Sequence, residues 1–215
     1  MSISNFDKIK NIIEAYIEKY SIQNVSIISN LHNVSKNNAD PKNVKYVYDD
    51  KQDFDVIDMD IIAEKVYKIA KDMKGDPINT ADAFLIKSSN EWFFIEFKDT
   101  EIKAKNQSLK NNIIKKAYAN WYMLLDILYD MKDLSNEIDF DFNSPIRFAQ
   151  NNVYYIVVCS SKDNPNVSKQ IINNRYFGQN YTPEFMQKLK GYLFKDAYIY
   201  TEEEFKIHFV RNFAY

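Results

Sequence analysis

The run Trp92-Phe93-Phe94-Ile95-Glu96-Phe97-Lys98 constrains the fold more than any other part of the chain. Side chains on a strand alternate faces, so Trp92, Phe94, Glu96 and Lys98 share one face and Phe93, Ile95 and Phe97 the other. A strand that is apolar on both sides needs cover on both sides, which makes it a central strand in a layered α/β fold. Glu96 and Lys98 interrupt one face at its end, where a charge is costly unless it is paired or metal-bound.

Ala83-Phe84-Leu85-Ile86 precedes this run, and Ser88-Ser89-Asn90 between the two reads as a short polar turn, which predicts a β-hairpin. With a three-residue loop, Ile86 faces Trp92, Phe84 faces Phe94 and Asp82 faces Glu96. A loop one residue shorter or longer would carry Asp82 to the opposite face. Two carboxylates across a ladder repel by some tenths of a kcal/mol to about one. A divalent cation between them, or Lys98 on the same face, would offset that repulsion.

Helical spacing surrounds the hairpin. Phe6, Ile9, Ile13, Tyr16 and Tyr20 predict a first helix of about fifteen residues. Ile62, Val66, Ile69 and Met73 predict a second, ended by Gly75-Asp76-Pro77. Leu109, Ile113, Ala117, Trp121, Leu124, Leu128 and Met131 mark a long helix over residues 104–131. Between the first two helices, Val25–Ile28 and Lys45–Tyr48 read as short strands, with Asn33–Lys42 as loop. Asp49, Asp50, Asp53, Asp55, Asp58 and Asp60 crowd a stretch lacking the glycine and closing glutamate of a calcium loop, so it reads as a solvated loop. Beyond the long helix come a polar loop to Asp141, a buried strand Val153–Cys159, a helix Pro183–Leu193, a strand Ala197–Tyr200 and a closing helix Glu202–Val210. This order predicts an α/β fold with a mixed central sheet flanked by helices. The expected organisation is one domain over 1–215, with its core at 60–160, a helical and irregular region 1–59, and a helix-strand-helix at 180–215.

Several classes are disfavoured. No stretch approaches the roughly 18 to 20 apolar residues of a membrane span, and Met1–Tyr20 lacks the apolar run of a secretory signal, so the expected address is cytoplasmic, with no membrane partner. The single cysteine, Cys159, excludes an intramolecular disulfide and reads as a buried structural thiol. His32 and His208 match no zinc or triad spacing. A net charge of −2 means the whole chain is not an electrostatic magnet for nucleic acid, although Lys98, Lys103, Lys105, Lys110, Lys115 and Lys116 form a local basic stretch.

An aspartate at the start of one hairpin strand and a Glu-x-Lys ending the next, Asp82 with Glu96-Phe97-Lys98, resembles the PD-(D/E)xK nuclease superfamily. The resemblance covers roughly residues 60–160 and implies a restriction-endonuclease-like core. It implies Mg²⁺ or Mn²⁺ held by Asp82 and Glu96, with Lys98 orienting or polarising the attacking water. Residues of these types suit the chemistry, since Mg²⁺ takes few carboxylates and fills its shell with water and phosphate, while an ammonium stabilises developing charge. Ala81 stands where the family has proline, and Glu101-Ile102-Lys103 and Glu204-Phe205-Lys206 repeat the Glu-x-Lys spacing without the paired strand.

The resemblance further points to Glu64 on the preceding helix and to Gln107 and Lys110 on the following one as supporting residues. The same three fit solvated helix faces. The basic stretch could contact phosphates, and Tyr118, Trp121 and Tyr122 could stack on bases, although their helical spacing suits core. The expected activity is a metal-dependent nuclease acting on DNA rather than RNA, which could work as a homodimer, as many relatives do. The competing expectations are a nuclease-like fold that no longer cuts and serves as a protein-interaction module, and a plain α/β binding domain.

Overall fold

The computed structural model describes residues 3–37, 44–50, 53–103, 105–135 and 137–213. Helix α1 (Asn5–Lys19) starts at Ser4, whose Oγ accepts the Asp7 N–H at 3.1 Å and so satisfies a donor that the helix itself cannot. There follow β1 (Ile28–Asn30), the single turn α2 (Leu31–Val34), β2 (Lys36–Asn37), β3 (Lys45–Tyr46) and β4 (Asp55–Asp58). Asp58 then caps a continuous helix made of α3 (Met59–Ile61), a π-helical turn over Ile62–Tyr67, and α4 (Lys68–Ala70). The hairpin β5 (Ala83–Ile86) and β6 (Trp92–Lys98) leads into α5 (Gln107–Asp130) and the short α6 (Lys132–Ser135). The rest comprises α7 (Pro145–Asn152), β7 (Val153–Cys159), α8 (Pro165–Tyr176), β8 (Asp196–Thr201) and α9 (Glu202–His208).

The sheet has six strands in the order β1-β4-β5-β6-β7-β8, and β2 pairs with β3 apart from it. Pairing is antiparallel from β1 to β6 and parallel across β6, β7 and β8, so the sheet is mixed. The parallel strands end together, Lys98 beside Cys159 and Cys159 beside Thr201. The crevice beyond such strand ends is where open α/β sheets place their sites.

The sheet separates two cores. Trp92, Phe94, Tyr155 and Val157 face α1, the 59–70 helix, α5 and α7, through residues such as Ile13, Val66, Leu124 and Phe148. Phe93, Ile95, Ile156 and Tyr198 face the other way, towards Leu31 of α2 and Phe205 of α9. Trp92 is fully enclosed, with Phe148, Phe84 and Phe140 rings at 4.9, 5.6 and 5.8 Å. Cys159 is likewise enclosed, and burial, with the Glu202 charge, pushes its thiol up to about 12, so it is an inert structural group. On the outside of the first core, a polar network joins three helices. Tyr67 donates to Asp126 at 2.7 Å and Tyr20 to Asp130 at 2.8 Å, while Lys71 pairs with both aspartates.

Several expectations need correction. The aspartate-rich stretch 49–60 is not one solvated loop, because Val56 and Ile57 are fully buried and make Asp55–Asp58 a strand between β1 and β5. The segment expected as loop from Asn33 contains the end of α2 and β2, and 38–43 lie outside the described residues. Pro183–Leu193 is not a helix. Met186 and Leu189 are buried, but a 3-10 turn (Glu184–Met186) and a reversal at Gly191, φ 71°, hold them there. The expected second helix exists, yet its π turn adds a residue to the coil and rotates the turn beyond it, leaving Ile69 57% exposed. The sheet also extends beyond 60–160, taking β4 on one side and β8 on the other. Helices α7 and α8 begin at Pro145 and Pro165, the position where proline's missing N–H costs nothing. Among the described residues no helix is long and apolar enough to cross a membrane.

Phe94→Ala, at a fully buried position of β6, should lower the unfolding free energy by about 3–5 kcal/mol in urea titrations. Tyr122→Ala, 64% exposed on α5, should change it by no more than about 0.5 kcal/mol. The Tyr20 hydroxyl and the Lys71 ammonium hold the Asp130 carboxyl below its usual range, so its stabilisation is present above about pH 4 and is lost as pH falls through the depressed value. Asp130→Asn should therefore cost about 1 kcal/mol or less at pH 7, and progressively less as the pH is lowered below about 4.

Candidate active site

The hairpin turn sets the geometry of the site. Lys87 N–H donates to Glu91 O at 2.8 Å and Asn90 N–H to Lys87 O at 2.9 Å, with Asn90 at φ 59°. This is a three-residue loop closed by a left-handed residue, a role asparagine fills at little steric cost. Ile86 then pairs with Trp92, Phe84 with Phe94 and Ala83 with Ile95, the register expected from the sequence. At Asp82 the ladder ends, since its N–H donates to Ile95 O at 3.0 Å and its carbonyl accepts Met59 N–H at 3.3 Å. Its side chain turns back along β6, where Oδ2 accepts the Phe97 N–H at 2.5 Å.

Asp82, Glu96 and Lys98 therefore converge at the C-terminal end of β6. Glu96 has no exposed surface. Its Oε1 contacts the Lys98 ammonium directly, and a second ammonium comes from Lys116 of α5, at 2.9 Å from Oε1 and 3.0 Å from Oε2. Lys116 Nζ also stands 3.8 Å from Asp82 Oδ1, so one buried cation bridges the two carboxylates. Burial and the Glu96 charge push the Asp82 carboxyl well above its usual range, against the pull of Lys116 and the Phe97 N–H. Burial works against the charge of Lys116, but the Glu96 and Asp82 carboxylates outweigh it and hold the ammonium above its usual value. Tyr155, beneath the pair, keeps its proton through burial and the same two carboxylates, and donates to Ile113 O at 3.2 Å.

The cluster opens on a pocket of about 230 Å³ bordered by Lys36, Asn37, Asp82, Lys98, Asp99 and Thr100. Asn37 donates to Asp99 across it, which ties the strand β2 to the rim. The expected supporting residues are elsewhere. Glu64 is exposed on the π turn. Asp60, one turn earlier, is the helical acid whose charge bears on Asp82 and Lys116, and it accepts the Thr80 hydroxyl at 2.8 Å. Gln107 and Lys110 line a separate cleft of about 720 Å³. There Gln107 donates to Asn111 at 2.8 Å, and Lys110 stands 5.6 Å over the Phe185 ring. Of the aromatic trio on α5, Trp121 is core, while Tyr118 and Tyr122 are 42% and 64% exposed. Lys116 has a signature in the sequence. It falls inside the apolar arc of α5, between Ile113 and Ala117, at a position where a charge must find a partner.

Among the described residues no three His, Cys, Asp or Glu side chains gather into a metal-binding group. Mg²⁺, however, is usually held by only one or two carboxylates and keeps much of its water. The Asp82–Glu96 pair fits that donor set, and it already receives one shared cation in the Lys116 ammonium.

Lys116→Met would leave the buried Glu96 and the partly buried Asp82 without their bridge, with Lys98 still on Glu96, and should cost about 1–3 kcal/mol in chemical denaturation with EDTA present. Glu96→Leu combined with Lys116→Met should cost much less than the sum of the single changes, because neither charge is then left alone. No family model, no curated protein and no solved structure matches this chain.

Proposed function

We propose that the chain is a metal-dependent nuclease with a restriction-endonuclease-like core, cutting phosphodiester bonds in DNA in preference to RNA. The observation that carries this reading is the meeting of Asp82, Glu96 and Lys98 on one face at the end of a central strand, beside an open pocket. Only the Glu-x-Lys at Glu96 has an aspartate-led partner strand, since Glu101 lies in a loop and Glu204 on α9.

Each residue has a defined part. Asp82 and Glu96 would hold Mg²⁺ or Mn²⁺, which supplies Lewis-acid charge at the scissile phosphate and a water of lowered pKa. The Phe97 N–H fixes the orientation of the Asp82 carboxylate, so this ligand is set before any ion arrives. Lys98, whose side chain is 15% exposed, is the ammonium at the rim. It would orient the attacking water and stabilise charge developing on the phosphate oxygens. Covered sheet faces on both sides exclude bulk water from all but the mouth, which strengthens each of these interactions.

One observation favours the second reading, a nuclease-like fold that binds a protein and does not cut. Glu96 is wholly enclosed and contacts two ammoniums, so its charge is answered within the protein.

Purified protein incubated with supercoiled plasmid, linear DNA and RNA should cleave DNA in Mg²⁺ or Mn²⁺ and stop in EDTA. Glu96→Ala and Lys98→Ala should each lower the rate by about a hundredfold or more. Absence of cleavage on every substrate with both metals would leave the interaction module as the better reading.

A further inference from the structure

The place that a shared metal ion would take is filled by a side chain. Lys116 Nζ lies within 3.0 Å of both Glu96 oxygens and 3.8 Å from Asp82 Oδ1. Among the described residues it is the cation in ion-pair contact with both carboxylates, since Lys98 pairs with Glu96 alone. Two acidic side chains and two ammoniums share the site. A divalent ion on the same oxygens, at the roughly 2.0–2.1 Å that Mg²⁺ requires, would crowd and repel an ammonium already seated there.

Lys116 is well built for exchange. Its backbone is fixed in α5, while its charge sits on a flexible four-carbon stem. Helical side chains lean towards the helix N-terminus, and Leu109, two turns earlier on α5, borders the open pocket at the site's mouth. The stem therefore leans towards the opening, in the direction by which an ammonium could leave without the helix moving.

Building on the metal-dependent reading above, we propose that Lys116 is an internal counter-cation. It holds the Asp82–Glu96 pair together in the metal-free protein and yields its place when a divalent cation is loaded. Lys116 is thus a positioning residue that keeps metal affinity low, and the protein exchanges one cation for another without ever leaving the acid pair bare.

The test is calorimetric titration of MnCl₂ into the EDTA-stripped full chain, compared with Lys116→Met and Lys116→Arg. Lys116→Met should bind Mn²⁺ tighter by about tenfold or more, the scale on which groups around metal ligands shift affinity. Lys116→Arg, which keeps the cation, should stay near the native value. Equal or weaker binding by Lys116→Met is what a merely structural role gives, and it would overturn the proposal. A second measurement needs only the native protein: acylation of lysines read by mass spectrometry, with and without Mn²⁺. Lys116 labelling should rise several-fold on loading while exposed Lys74 stays constant. Unchanged Lys116 labelling in protein that cleaves DNA with Mn²⁺ would overturn this exchange alone. Absence of both Mn²⁺ binding and cleavage in every variant would remove the nuclease reading with it.

Discussion

The turn Ser88-Ser89-Asn90 governs the structure around it. A strand's side chains alternate, so the number of residues in the loop decides which residues of β5 and β6 share a face. With three residues, and with Asn90 accepting a left-handed backbone, Phe84 lies against Phe94 in one core and Ala83 beside Ile95 in the other. The same register brings Asp82 round to Glu96. A slip of one residue would turn aromatic side chains into the wrong layer and separate the acids. Core packing and the chemistry of the site thus depend on one local choice, and neither can change alone.

Burying Glu96 then dictates what lies around it. An isolated carboxylate with no solvent access would take up a proton or unfold its surroundings. Here two lysines reach it from different elements, Lys98 from the same strand and Lys116 from the helix packed across it. Their geometries differ in a way that suggests a division of labour. Lys98 points to the rim, whereas Lys116 is enclosed between the acids and links α5 to β6 and to the residue just before β5 through charge. The cluster is therefore part of how α5 is seated on the sheet as well as the centre of the proposed chemistry.

Much of this was legible in the residues. The two-faced apolar strand, the hairpin, its register and the Asp82, Glu96, Lys98 set all follow from local alternation and loop length, which short-range sterics enforce. What was not legible depended on partners far along the chain. Val56 and Ile57 look like two apolar residues in an acidic loop, and they become a strand only because β1 and β5 offer their edges. Met186 and Leu189 have helical spacing, but a reversal at Gly191 meets the same demand for burial. Glu64, Gln107 and Lys110 were plausible by position along their helices, and helix phase placed each of them away from the acids.

The sequence by itself determined the central hairpin and the acidic pair at its end, because strand alternation and a three-residue turn act between neighbours. Only the tertiary structure decided which cation answers that pair. Lys116 is 20 residues beyond Glu96, on a helix whose rotation over the sheet is set by Ile113, Ala117, Trp121 and Leu124 packing into the core. One step of that rotation would have sent Lys115 or Lys110 inward instead; the spacing of the apolar residues marks Lys116 as the inward lysine, but not which charge it meets. The distinction is made by the apolar arc on which the residue falls, and by the buried charge that waits opposite it.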